Sequence, residues 1–304
     1  MTAIRVADLW KTYGATPAVR GVGFEVGEGE VFGLIGPDGA GKTSVFQILA
    51  GVMEATSGEA ELLGRPAREA RAYVGYLTQA FSLYPDLSVA ENLRYVGELR
   101  RVAVHDIEAR GQRYLTMFGM ERFTARLAGR LSGGMKQKLA LACALVAEPR
   151  ILLLDEPTTG VDPVSRREFW DALAELSTQG MTIVLATPYL DEAERCSRVA
   201  LLHEGRLLAL DRPDTLRSQL PGRVAEVMAR DKRRAAELLE QMPGVLGVEM
   251  FGERAHVRFD PAVIRDPADL SAKLGSEGVR VDDVRSIPAS LEDVFIARLG
   301  EARS

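Results

Sequence analysis

Short apolar runs alternate with segments of helical periodicity through the first two-thirds of the chain. Residues 30–35, 74–77, 151–154 and 181–187 are apolar almost without interruption, as expected of strands buried on both faces of a parallel sheet. Between them, residues 42–49 read as a helix stopped by Gly51, and a further helix runs from Pro163. Residues 4–6 and 23–26 read as strands bracketing a turn-rich loop that carries Trp10 and Tyr13, and residues 51–64 as a turn region. With Ser88 as N-cap, residues 89–147 are helical almost throughout, which predicts a helical insertion in an α/β chain. Residues 199–202 and 205–209 close this part as a hairpin.

Beyond Leu220-Pro221-Gly222 the pattern changes. Strand-like segments at 224–229, 245–251, 255–259 and 279–285 enclose helical ones at 232–241 and 268–274. That β-α-β-β-α-β order predicts a small ferredoxin-like α+β domain. The expected division is therefore 1–220, with its helical part at about 86–148, and 221–304.

Chemistry enters at Gly36-Pro37-Asp38-Gly39-Ala40-Gly41-Lys42-Thr43, followed by Ser44, which fits the phosphate-loop pattern G-x-x-x-x-G-K-[S/T]. A strand precedes it and a helix follows it, the order the chemistry needs. Glycines let backbone N–H groups turn toward a β-phosphate, and the helix N-terminus adds partial positive charge. Lys42 is placed to reach the β- and γ-phosphates, and the Thr43 hydroxyl to bind Mg²⁺. Downstream, the apolar run 151–154 ends in Asp155-Glu156, two acids at the carboxyl end of a central strand, where ligands bind in such sheets. Asp155 is the candidate metal carboxylate and Glu156 the candidate base for an attacking water. Gln79, delivered to a loop by the strand at 74–77, is a candidate for contact with Mg²⁺ or the water. Read from its segment alone, Tyr13 is either a surface packing residue or a base-stacking aromatic. Ser132-Gly133-Gly134, opening a helix, is either a capped helix start or a second anion site.

Composition narrows the partners. With 38 basic against 43 acidic residues the net charge is −5, which argues against a nucleic-acid partner held by overall charge. Cys143 and Cys196 are the only cysteines, so no disulfide framework is expected. The N-terminus lacks a signal-peptide core, and no apolar run approaches the ~20 residues that cross a bilayer.

Together these segments resemble the ATP-binding cassette (ABC) ATPases over residues 1 to about 215. The resemblance implies a P-loop NTPase (RecA-like) core with an antiparallel β subdomain and a helical insertion. It implies that Tyr13 stacks on adenine, that residues 36–43 are the Walker A loop, and that Gln79 is the Q-loop glutamine. It also implies that residues 131–134, with Ser132, Gly133 and Gly134, are the signature, and that 151–155 with Glu156 form Walker B and its base. Residues 160–162, ending in Asp162, match the D-loop. The resemblance further implies that two such cassettes pair head to tail, so that the signature of one covers ATP on the other, and that the helical insertion faces a separate membrane permease. The closing segment 290–295 is similar to the C-terminal part of ATPase subunits of drug-type, ABC-2-like exporters. A cytoplasmic exporter subunit on the inner face of the membrane is the expectation, with the C-terminal domain serving dimerisation or regulation.

Two positions depart from the family pattern. Asp38 stands where Asn is usual, and Pro188 where a histidine usually contacts the γ-phosphate. Pro188 fits two readings, a weakened site that pairs with a different cassette, or simply the first residue of the helix carrying Asp191 and Glu192. Other functional classes are a soluble cassette acting on ribosomes or DNA, and a regulatory subunit that binds ATP with little turnover.

Overall fold

The computed structural model describes residues 1–80 and 82–303, with side chains described through residue 301. The chain divides into two compact units, Met1–Leu210 and Asp211–Ser304. Strands β1 (Thr2–Tyr13) and β2 (Thr16–Gly27) run antiparallel from the Thr2–Gly27 pair to the Tyr13–Thr16 pair. The loop expected around Trp10 and Tyr13 is therefore strand. A register shift between Val6 and Leu9, with Asp8 at φ 43°, slips the apolar alternation and hides the strand's length.

The central strand β3 (Val31–Ile35) leads through the glycine loop into α1 (Lys42–Leu49). The segment expected to be a turn region contains β4 (Ser57–Leu62), paired with β1, and is followed by a two-residue β5 (Arg65–Pro66). The first half of β4 is exposed, and the strand carries Glu59 and Glu61, so its apolar signature is weak. These strands form one sheet in the order β2-β1-β4-β5.

After β6 (Val74–Leu77) comes the insertion, which is three helices rather than one unbroken stretch: α2 (Val89–Leu99), α3 (Val104–Met117) and α4 (Gly133–Leu145). A capping box starts α2: the Ser88 hydroxyl accepts from Glu91 N–H, and the Glu91 carboxylate accepts from Ser88 N–H. Gly119, at φ 66°, ends α3. The chain then continues through β7 (Ile151–Asp155), α5 (Pro163–Thr178), β8 (Thr182–Thr187), a single turn α6 (Leu190–Ala193), β9 (Arg198–His203) and β10 (Arg206–Asp211). Tyr189 caps α6, so Pro188 is not its first residue, contrary to the second of its two readings.

The second sheet has the order β10-β9-β3-β8-β7-β6. From β9 to β6 neighbours are parallel, with Ile35 beside Thr187, Ala186 beside Asp155 and Leu154 beside Leu77. This register brings the carboxyl ends of β3, β8, β7 and β6 to one line. Phe24 stacks on Phe32 at 5.2 Å in the buried layer between the two sheets.

The second unit begins with α7 (Pro213–Ser218), earlier than the Pro221-Gly222 junction. It continues β11 (Arg223–Ala229), α8 (Lys232–Glu240), β12 (Val245–Phe251), β13 (Arg254–Phe259), α9 (Ala268–Ser276), β14 (Val281–Ile287) and α10 (Leu291–Arg303). The sheet order β12-β13-β11-β14 is that of a ferredoxin-like domain. Leu239, Leu270 and Leu274 of α8 and α9 pack on Ala225, Val227, Val257 and Phe259. The early boundary has a packing reason, since α7 lies against α10.

Candidate active site

A cleft of about 290 Å³ opens at the carboxyl ends of the parallel strands, lined by residues 38–44 together with Ala18, Gln79 and Glu156. The loop above β3 is held by close backbone approach. A Cβ on Gly36 would lie 2.2 Å from the Leu202 carbonyl oxygen, and one on Gly41, at φ 99°, 2.4 Å from that of Ala18. Only glycine fits either position.

Lys42 is buried in this cleft. Its Nζ donates to the carbonyls of Gly36 (2.7 Å) and Pro37 (3.1 Å) and lies 3.3 Å from Glu156 Oε1. Glu156, at φ 49° just past β7, accepts from Gln79 Nε2 at 2.9 Å and from the Thr159 hydroxyl at 3.3 Å. Three segments far apart in sequence thus meet on one carboxylate. Beside it, Asp155 accepts from the Thr43 hydroxyl (3.3 Å) and from Tyr76 (3.4 Å). Burial pushes the Asp155 carboxyl above its usual range, and Glu156 adds to this against the opposing effects of Thr43, Lys42 and Tyr76. Burial and Asp155 also push the Tyr76 phenol up, so it remains a donor at neutral pH.

A hydroxyl facing a desolvated carboxylate suits Mg²⁺, which takes one or two protein oxygens and fills its shell with phosphate and water. Thr43 and Asp155 provide that pair, whereas Gln79 is turned onto Glu156.

Comparison with known proteins agrees with this geometry. The ABC transporter family pattern matches residues 19–159. A probable multidrug ABC transporter ATP-binding protein of Escherichia coli is 40% identical over 94% of this chain, which spans 50% of that protein's length. A Nod factor export ATP-binding protein of Burkholderia thailandensis is 39% identical over 95% of this chain and 94% of its own length. The chain belongs to the ABC transporter ATP-binding proteins. A solved ATP-binding subunit of an ABC transporter shares the fold, with TM-score 0.65 and 32% identity over 71% of this chain and 92% of that one. So does a dimeric bacterial ABC transporter cassette, with TM-score 0.64 and 26% identity over 69% of this chain and 98% of that one.

In this cassette the remaining predicted residues make no direct contact with the Lys42–Gln79–Glu156 group. Ser132 caps α4, accepting from Met135 N–H at 3.3 Å, and with Gly133 it is exposed. Gly134 is packed so tightly on α5 that a Cβ there would lie 2.4 Å from Ser165 Cβ. Asp162 caps α5, accepting from Val164 (3.1 Å) and Ser165 (3.0 Å), and these N–H groups hold its carboxyl below its usual range. Tyr13 is half exposed, with its hydroxyl 3.2 Å from Ser44 Oγ and 3.0 Å from Met53 Sδ and with Lys11 over its ring. Asp38 is exposed at the rim. At Pro188 the backbone offers no donor, and the flanking groups are committed. Thr187 O accepts from Gly36 N–H at 3.3 Å, and the Thr187 hydroxyl from Tyr189 N–H at 3.1 Å.

Tyr76, Thr158, Thr159 and Glu192, which touch or support the acidic pair, are not apparent from the sequence. Tyr76 carries a weak signal, as the one polar-tipped side chain in an apolar run. Thr158 and Glu192 carry none, because their contact depends on β7 and β8 lying side by side.

Proposed function

We propose that the chain is the ATP-hydrolysing subunit of an ABC exporter and drives a separate membrane permease. The observation that carries this reading is the convergence of Lys42, Gln79 and Glu156 on one cleft below the glycine loop. ATP entering the cleft would draw Lys42 from Glu156 and the loop carbonyls to its phosphate oxygens. Glu156, so released, accepts a proton from the water that attacks the γ-phosphorus, giving ADP and phosphate. Thr43 and Asp155 would hold Mg²⁺, whose charge neutralises the phosphates when bound. Tyr13 is the proposed adenine platform.

The exposed Ser132 and Gly133 lie outside the cleft lining, which supports a second cassette whose ATP they cover. Outward transport is inferred from relatives spanning nearly the same length, named for Nod factor export and daunorubicin resistance. No helix among the described residues is long and apolar enough to cross a membrane, and this reading assigns the membrane crossing to a separate permease chain. The subunit would then work at the inner face of the membrane, with residues 211–304 in dimerisation or regulation. Purification from solubilised membranes tests this: a co-eluting polytopic membrane protein is expected, and co-elution with ribosomes or DNA instead would contradict it.

Pro188 favours a second reading, in which this chain pairs with a different cassette. A site without a donor at that position hydrolyses slowly, while the intact signature still completes the partner's site. Pro188→His should then raise turnover of the purified chain, and a robust wild-type rate that it does not raise removes this reading.

A further inference from the structure

Two residues past Glu156 the chain enters, at Thr158, a buried polar hub outside the cleft lining. Glu192, in the single turn after β8, is 1% exposed. Its Oε1 accepts from the Thr158 hydroxyl, from Arg166 Nε at 3.0 Å and from Trp170 Nε1 at 3.3 Å, while Oε2 is buried with no hydrogen-bond partner among the described residues. Arg166 also donates to Asp191 Oδ2 at 2.6 Å and lies over the Tyr189 ring. One carboxylate oxygen therefore ties together the turn leaving β7, helix α5 and the segment leaving β8.

The turn that Thr158 anchors carries the catalytic geometry on both sides. The next residue, Thr159, donates to Glu156 Oε2, and the Thr158 carbonyl accepts from Val161 N–H at 3.1 Å, closing the turn into Gly160–Asp162. Helix α5, held by Arg166, carries Ser165, on which Gly134 rests. We propose that Glu192 is a positioning residue for hydrolysis, holding Thr158 so that Glu156 and the Gly160–Asp162 turn keep their places. This rests on the ATPase reading above. A buried network of this kind resists deformation because each donor would otherwise be left without a partner. Three bonds converge on one oxygen, so a glutamine with its carbonyl there keeps all three, whereas alanine keeps none.

The test uses the full chain. Thr158→Val removes one hydroxyl at nearly constant volume. It should lower kcat by about tenfold to a hundredfold while leaving ATP affinity within about twofold, as misplacement of a catalytic group does. Glu192→Ala should act likewise, and Glu192→Gln should restore most of the rate. Trp170 supplies a readout independent of turnover, since the only other tryptophan is Trp10. In a Trp10→Phe background, ATP with Mg²⁺ should change Trp170 emission, and adding Thr158→Val should abolish the change with binding intact. A wild-type rate in Thr158→Val, a parallel loss of kcat and affinity, or Trp170 emission blind to bound ATP would each overturn the proposal. Absence of ATP binding by the unmutated chain would overturn the ATPase reading itself, and the positioning role with it.

Discussion

Lys42 and Glu156, one assigned to the phosphates and the other to the attacking water, are paired with each other at 3.3 Å. Each satisfies the other's charge in a site where both are almost fully buried. In the proposed hydrolysis, nucleotide binding separates them.

That pairing predicts the effect of Glu156→Gln on binding. The substitution frees Lys42 and removes a carboxylate that repels the triphosphate, so ATP should bind tighter by about threefold to tenfold. Titration with a fluorescent ATP analogue measures this, and light scattering should show an ATP-dependent dimer. Weaker binding than wild type would contradict the pairing's role.

Lys42→Ala acts in the opposite direction, and on stability as well. It strands Glu156 in the cleft, which should cost about 3 kcal/mol of folding stability. ATP affinity should fall at least about a hundredfold. Urea unfolding and equilibrium dialysis check the two effects separately.

Asp155→Asn should stabilise the nucleotide-free protein while disabling Mg²⁺-dependent hydrolysis. The folded carboxyl titrates above its unfolded value because it is buried. Below the unfolded value, about 4, both states are protonated and the native residue costs nothing. As pH rises past the unfolded value the unfolded carboxyl ionises while the buried one resists, so the gain from Asn should grow up to the raised folded value and level off above it. Urea midpoints for both proteins across that range test the sign. A gain confined to low pH would refute it.

Much of this cleft is legible in the sequence. The loop 36–43 and the pair Asp155-Glu156 are contiguous motifs, and their strands have the unbroken apolar runs of a buried parallel sheet. The C-terminal β-α-β-β-α-β order is equally readable, because each strand is bounded by helix or turn signals. What stays hidden depends on register and edges. β1 is masked where Asp8 breaks the alternation, and β4 because a half-exposed strand with glutamates looks like a loop. The Thr158–Glu192 contact spans 34 positions and exists only because β7 and β8 are neighbours.

Cutting after residue 212 should leave a folded cassette that binds ATP with affinity within about threefold of the full chain, since residues 1–210 form a compact unit with its own core. Circular dichroism and nucleotide titration of the shortened chain decide the point. A soluble fragment without ATP affinity would show that the second unit contributes to the site.

In the proposed hydrolysis Glu156 accepts the proton of the attacking water in a cleft that binds ATP through Lys42. Phosphate release from ATP with Mg²⁺, measured for the purified chain and for Glu156→Gln side by side, tests it most directly. Steady release by the unmutated chain is expected, with a loss of at least about a hundredfold in the variant and ATP still bound. Equal rates in the two proteins would contradict it.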